Sequence, residues 1–309
     1  MRFIEFGDNN TKVSEVILGT MRIWEKTPQE VATLIETALD SGINAVDTAP
    51  IYGPSEGKIG EAFALTPGLR DRVWLQTKLG IRPHPRIKAN YFDFSYEHIM
   101  ESVDNSLRML QTDHIDSLLL HRPDALMEPE EIAKAFEELH EAGKVIDFGV
   151  SNQNVAPMKR LQRYLPFPIA ANQVQISAAF TPVFDSFFNV NMQNEASAMR
   201  DGGIFEYAYD HNQVIQAWSV LQHGYFGGVF LDNPEYAELN DALERIAADH
   251  ASTKTAVAIN WVLRYPAKMQ AIIGTTRPER VSESAAACDW EMSREEWYEV
   301  YLSAGNRLP

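Results

Sequence analysis

Short apolar runs and longer amphipathic stretches alternate along this chain from residue 16 onward. VILGT (16–20) precedes a stretch with helical apolar spacing, for which Thr27 is a fitting N-cap and Pro28 a fitting first helical residue. NAVD (44–47) precedes a helix opening near Ser55, and RVWLQTK (72–78) precedes a helix entered at Ser95. IDSLLLH (115–121) leads to a helix over Pro129–Ala142, where Gly143 suits the C-terminus. The second half repeats the scheme. KVIDFGVSN (144–152) leads to Val155–Tyr164, and PIAANQVQ (168–175) to an irregular stretch and a helix near Glu195–Arg200. QVIQAWSVL (213–221) precedes a loop and a helix around Pro234–His250, and MQAIIGTT (269–276) precedes Pro278–Ala287. Two pieces lie outside the repeat. Arg2–Phe6 and Lys12–Val16 flank the turn signal GDNN and predict a β-hairpin, and Ser293–Leu302 predicts a last helix.

Strands alternating with helices imply right-handed crossovers and a parallel sheet. Eight such pairs in about 270 residues fit a closed (β/α)8 barrel, which takes about 250 residues, better than an open sheet. The expected fold is therefore α/β: a (β/α)8 TIM barrel with an N-terminal β-hairpin and an extra C-terminal helix, as one domain over 1–309. At 309 residues and 45% hydrophobic, the chain can fill such a core.

Charge narrows the partners. A net charge of −16 with a pI near 4.9 disfavours nucleic acid and anionic membranes as partners. Cys288 is the single cysteine, which rules out an internal disulfide framework and suits a reducing compartment. The first ten residues lack the apolar core of a signal peptide, and no apolar run approaches ~18 residues. A cytoplasmic protein is expected, and a monomer, since no feature demands an oligomer.

In parallel barrels the active site forms where the strands end and their loops converge. Here strand 2 ends in Asp47, strand 3 in Lys78 and strand 4 in His121, with Tyr52 just past Asp47. Adjacent strands lie only about 5 Å apart, so the four would meet. A free tyrosine has a pKa near 10, and a nearby ammonium lowers it by favouring the phenolate. Asp47 would hold Lys78, Lys78 would tune Tyr52 as general acid, and His121 would orient or protonate a substrate oxygen. That set suits chemistry in which negative charge develops on an oxygen.

The segments carrying these residues resemble the aldo-keto reductases: DTAPIYG (47–53), WLQTKLG (74–80), LLLHRPD (118–124), GKVIDFGVSN (143–152), ANQVQ (171–175), AWSVL (217–221) and IIGTTRPERVSES (272–284). The resemblance runs through the whole chain in the family order. It implies an oxidoreductase that moves a hydride between NADPH (or NADP+) and an aldehyde or ketone, with no metal. It implies that Ser151, Asn152 and Gln173 hold the nicotinamide carboxamide, and that Trp218 stacks on the ring. Ser219 and Leu221 would follow the pyrophosphate, Gly274, Thr275, Thr276 and Arg280 the 2′-phosphate region, and Glu283 and Ser284 the adenine. Thr20, ending strand 1, belongs to the same implied cofactor face. Gly274 stands where many members place lysine, Ser284 where asparagine is usual, and Gln222 where a small residue is common. These departures leave NADH open beside NADPH.

Other features have plainer readings. The remaining histidines lack the helical i, i+4 pair of a zinc hydrolase. GYFGG (224–228) lacks the strand–helix context of a dinucleotide fingerprint and reads as a mobile loop, and His223 beside it either lines the site or is solvated. FTPVFDSFFNVNMQN (180–194) either shapes an apolar substrate pocket or patches the barrel rim, and Trp24 is a second pocket candidate beside Tyr52 and His121. An apolar mouth would favour carbonyl compounds with a hydrophobic or aromatic portion over free sugars. Besides a reductase, a cofactor-sensing regulatory subunit with little turnover is the rival reading, and a metal-dependent barrel hydrolase the third.

Overall fold

Continuous apolar runs become barrel strands because both faces of each are covered, one by helices and one by the barrel interior. The structure, a computed structural model, describes all 309 residues. Eight parallel strands close on one another: β1 (Val16–Gly19), β2 (Ala45–Asp47), β3 (Trp74–Leu79), β4 (Ile115–Leu120), β5 (Val145–Ser151), β6 (Ala171–Gln175), β7 (Val214–Trp218) and β8 (Met269–Ile273). Pairing of Ala271 with Val16 joins β8 to β1 and completes the ring. Helices alternate with them: α1 (Pro28–Asp40), α2 (Ser55–Leu65), α3 (Tyr96–Leu110), α4 (Pro129–Glu141), α5 (Val155–Gln162), α6 (Pro182–Phe188), α7 (Ile204–Asp210), α8 (Ala237–Asp249), α9 (Lys254–Leu263), α10 (Pro278–Ala285) and α11 (Arg294–Ser303).

The expected Thr27 cap is present. Thr27 and Glu30 form a reciprocal capping box at α1, and Ser293 and Glu296 another at α11. The predicted hairpin is Phe3–Phe6 paired with Thr11–Ser14. It closes the N-terminal end of the barrel, where Phe6 and Val13 pack with Ile17, Ala45, Trp74 and Leu119. A second short hairpin, Ile81–Pro83 with Asn90–Phe92, lies in the loop after β3 and has no strong signal in the sequence.

Three segments differ from expectation. The helix expected near Glu195–Arg200 is a single 3-10 turn over Glu195–Ser197, and the aromatic segment Ile204–Asp210 forms α7 instead. The reason lies in burial: Ile204, Phe205, Tyr207 and Ala208 are buried, whereas the polar 195–200 stretch has no apolar face to dock. Second, α9 was not anticipated between the α8 region and β8. Ala256 through Leu263 are all buried, so this helix shows no amphipathic period to read. Third, the 180–194 segment contains helix α6, and its phenylalanines turn away from the barrel mouth. Phe184 packs on Trp261 and Trp297, and Phe188 on Trp297, Tyr298 and Tyr301 of α11. Residues four apart on each helix share a face, so the 184/188 pair meets the 297/301 pair. The rim-patch alternative is what the structure shows.

Candidate active site

The C-terminal ends of the strands surround a cleft of about 1160 Å³. At its floor Asp47, the last residue of β2, faces Lys78 of β3. Lys78 Nζ donates to Asp47 Oδ1 at 2.6 Å and to the Thr48 carbonyl at 2.8 Å, and the lysine is fully buried. Two of its three N–H donors are thereby fixed, leaving one for the phenol of Tyr52. The Lys78 ammonium lies 5.1 Å from the Tyr52 ring centroid, and the Tyr52 and His121 rings meet edge-on at 5.8 Å. Tyr52 is held by the 3-10 turn Pro50–Tyr52, which brings it back over the end of β2. The structure thus gathers all four residues, and Asp47 and Lys78 pair as the sequence suggested.

Burial sets the protonation states. Burial lifts the Tyr52 phenol above its ordinary value; Lys78 pulls it down, but not enough to reverse the shift. This differs from the sequence expectation of a lowered phenol, because a phenolate in this dry setting loses more hydration than one ammonium returns. Burial also opposes the charge on Lys78, yet Asp47 and Tyr52 outweigh it and hold the lysine above its ordinary value. Burial, helped by the charges of Lys78 and Arg122, pushes His121 well below the usual histidine range, so its ring is neutral at pH 7.

Beneath this set lies a layer of buried amides that the sequence reading named only in part. Gln76 and Gln173 each donate to Asp47 Oδ2, at 2.7 and 3.0 Å. Gln216 donates to Gln76 and to Gln270, and Gln270 donates to the Ser14 carbonyl. Inward-facing polar residues inside a strand look like any solvated position until the barrel is closed around them. Gln76, Gln216 and Gln270 therefore passed unread.

The cofactor-face residues line the same cleft: Thr20, Ser151, Asn152, Gln173, Trp218, Ser219, Leu221, Gly274, Thr275, Thr276, Arg280, Glu283 and Ser284. Ser151 donates to the Gln173 carbonyl, Asn152 Nδ2 to Ser151 Oγ, and Trp218 Nε1 to Asn152 Oδ1. Thr20 Oγ1 donates to the Asp47 carbonyl, and Ser284 Oγ to the Arg280 carbonyl. Gln173 spends its Nε2 on Asp47 and Gln216, leaving its Oε1 as the free acceptor. Asn152 and Ser219 adopt left-handed backbone, with φ of 56° and 55°, a strained placement for non-glycine residues that gathers at functional sites. A hydroxyl, two amides and an indole at one end, with cations at the other, fit a nicotinamide dinucleotide.

Some lining residues carry no signal in the sequence. Arg22, Arg122 and Arg277 come from three separate loops, and Lys254 opens α9. Arg22 Nη1 lies 3.7 Å from where a β-carbon on Gly274 would stand, so the loop after β1 brings a cation beside position 274. The GYFGG loop is a wall of the cleft rather than a free tip. Its ends are joined by a Gln222–Val229 bridge, and Tyr225 and Phe226 line the site. His223 packs on Tyr236 at 5.2 Å and is not part of the lining. Trp24 is 55% exposed and also stands outside the lining; the mouth near Tyr52 is built instead from Met21, Ile51, Ile81, Asn90 and Arg122. That mixture is not the apolar mouth the sequence suggested.

Comparison with known proteins agrees with this arrangement. The sequence model of the Aldo/keto reductase family matches residues 15–301. Oxidoreductase YdhF of Escherichia coli (strain K12) is 35% identical over 310 residues, covering 97% of this chain and 97% of that protein. A 6-dehydroglucose reductase of Agrobacterium fabrum is 35% identical over 302 residues, covering 95% of each. The structure of the thermostable aldo-keto reductase Tm1743 in complex with the inhibitor epalrestat has the same fold, with a TM-score of 0.77 over 98% of this chain and 100% of that chain at 23% identity. No helix is long and apolar enough to cross a membrane. An oxidoreductase barrel with this cleft, matched by the family's sequence model over nearly its whole length, belongs to the aldo/keto reductase family.

Proposed function

We propose that this protein reduces an aldehyde or ketone with NADPH, using Tyr52 as the proton donor. The observation that carries the reading is the buried Lys78–Asp47 pair at 2.6 Å beneath Tyr52, at the floor of a cleft of about 1160 Å³. Buried ion pairs are costly to build, and removing one partner typically destabilises by about 3–5 kcal/mol. A pair set against a phenol in a cleft is therefore a site with a task.

Bound reduced nicotinamide supplies a hydride to the carbonyl carbon. Ser151, Asn152 and the free Gln173 Oε1 would hold the carboxamide of such a cofactor, and Trp218 would cover its ring. The carbonyl oxygen lies between Tyr52 and neutral His121. As the oxygen gains electron density, Tyr52 transfers its proton, and the Lys78 ammonium stabilises the phenolate left behind. Asp47, saturated by Lys78, Gln76 and Gln173, keeps Lys78 charged and in place. Arg22 beside Gly274, with Arg277 and Arg280 of the loop and helix after β8 in the same cleft, would favour the 2′-phosphate of NADPH over NADH. The mixed mouth suits a substrate with polar groups near its carbonyl, in keeping with the relatives named 6-dehydroglucose reductase.

Tyr52→Phe tests the reading through the absorbance of reduced cofactor. It is expected to lower kcat by roughly 10²–10⁴-fold while NADPH still binds. Full turnover in Tyr52→Phe would overturn the acid assignment. Tight NADPH binding without reduction of any aldehyde or ketone in a broad panel would favour the cofactor-sensing role.

A further inference from the structure

Four arginines line the cleft, Arg22, Arg122, Arg277 and Arg280, and none forms an ion pair; the arginine pairs of this protein all lie elsewhere. Three of the four have an assignment. Arg22 follows β1 and lies beside Gly274, while Arg277 and Arg280 follow the adjacent strand β8, so all three belong to one side of the ring. Arg122 does not belong to that group. It follows β4, across the closed ring from β8, directly after His121.

Arg122 is half-buried, and its charge acts on both Tyr52 and His121. Its guanidinium lies 5.6 Å from the ring centroids of Trp218 and Tyr225, contacts that use none of its N–H donors. The one hydrogen bond at this residue is Gln153 Nε2 donating to the Arg122 carbonyl at 3.5 Å. All five guanidinium N–H groups are therefore free of protein acceptors. The chain has 43 acidic and 27 basic residues, so carboxylates are plentiful, yet none pairs with this arginine. A partly desolvated cation held open beside a proton donor has the fork geometry that matches a carboxylate or phosphate.

We propose that Arg122 forms a substrate-anion subsite, so that the preferred substrate is an aldehyde or ketone carrying a compact anionic group. That group pairs with the guanidinium while the carbonyl oxygen lies at Tyr52 and His121. The inference rests on the carbonyl-reductase reading above and specifies its substrate class. The other three arginines follow β1 and β8, whereas Arg122 follows β4 across the ring from β8, and this leaves Arg122 for the substrate.

A matched pair of probes decides it: 4-formylbenzoate and its neutral methyl ester, with kcat/KM for NADPH-dependent reduction measured at low salt. Wild type is expected to favour the carboxylate tenfold or more, largely through KM. Arg122→Gln is expected to bring that ratio to within about threefold of unity, and Arg122→Lys to retain part of it, because lysine keeps the charge but loses the fork. The ratio is internal to each variant, so a general loss of activity does not imitate the result. Equal kcat/KM for the two probes in wild type, or a preference that survives in Arg122→Gln, overturns the subsite and leaves the reductase reading standing. Failure of wild type to reduce either probe or any other carbonyl overturns the reductase reading itself.

Discussion

Tyr52 and Arg22 mark two ways in which single residues depend on their surroundings. The spacing of Asp47, Tyr52, Lys78 and His121 along the strands was legible, since each stands at a strand end or one turn beyond it. The sign of the Tyr52 shift was not, because sequence shows the neighbouring lysine but not the burial that outweighs it. Arg22 lay beyond reach for another reason. Its partner position, Gly274, is 252 residues away and becomes its neighbour only when β8 pairs with β1. Removing the Arg22 charge should weaken NADPH much more than NADH. Arg22→Ala is expected to raise the NADPH dissociation constant about tenfold, roughly 1.4 kcal/mol, and the NADH constant under about twofold. Quenching of tryptophan fluorescence on titration measures both; equal effects would remove Arg22 from the phosphate site.

The longer helices with one apolar face were read correctly, and the helix buried on every side was not. α1, α3 and α4 announce themselves by their apolar period, and α1 also by its Thr27 cap. α9 does not, because it is wrapped by α8, α10 and the barrel. The same packing explains why the Phe-rich segment is structural. Phe184 and Phe188 of α6 meet a stack in which Trp297 lies 5.0 Å from Trp261 and 5.7 Å from Tyr301. Each tryptophan indole donates to the other's carbonyl, Trp261 to Trp297 at 3.0 Å and Trp297 to Trp261 at 3.1 Å. Trp297→Ala is therefore expected to cost about 3–5 kcal/mol in urea unfolding. NADPH affinity should hold, since Trp297 does not line the cleft. A loss under about 1 kcal/mol would mean that the two helices are not joined through this ring.

At the scale of the whole molecule, the barrel has a reactive end and a closed end, and the closed end carries its own pH dependence. Asp147 of β5 is buried against Gly7 of the N-terminal hairpin, where a β-carbon would stand 2.0 Å from its Oδ1. Burial raises its carboxyl from 3.8 to about 6, only partly offset by a hydrogen bond from the Asp8 amide. The folded state thus binds this proton more tightly than the unfolded state. The resulting stability is complete below pH 3.8 and is lost as pH rises through about 6. A shift of about two units corresponds to roughly 3 kcal/mol at most. Asp147→Asn should accordingly stabilise the protein at pH 8 and have little effect at pH 4, as thermal unfolding at the two pH values would show. The reverse order would mean that the charged carboxylate is the form the fold prefers.

The sequence by itself determined the barrel class, the alternation of its elements, the Thr27 cap and the set of residues at the strand ends. These follow from local periodicity and from the rule that parallel strands deliver their termini to one face. Tertiary structure alone decided what closes that face: the amide layer under Asp47, the unpaired Arg122 beside His121, the arginine that occupies the space at Gly274, and the direction in which the phenylalanines turn. Each of these depends on contacts between residues far apart in the chain, and burial and charge act across such contacts only after the ring has closed.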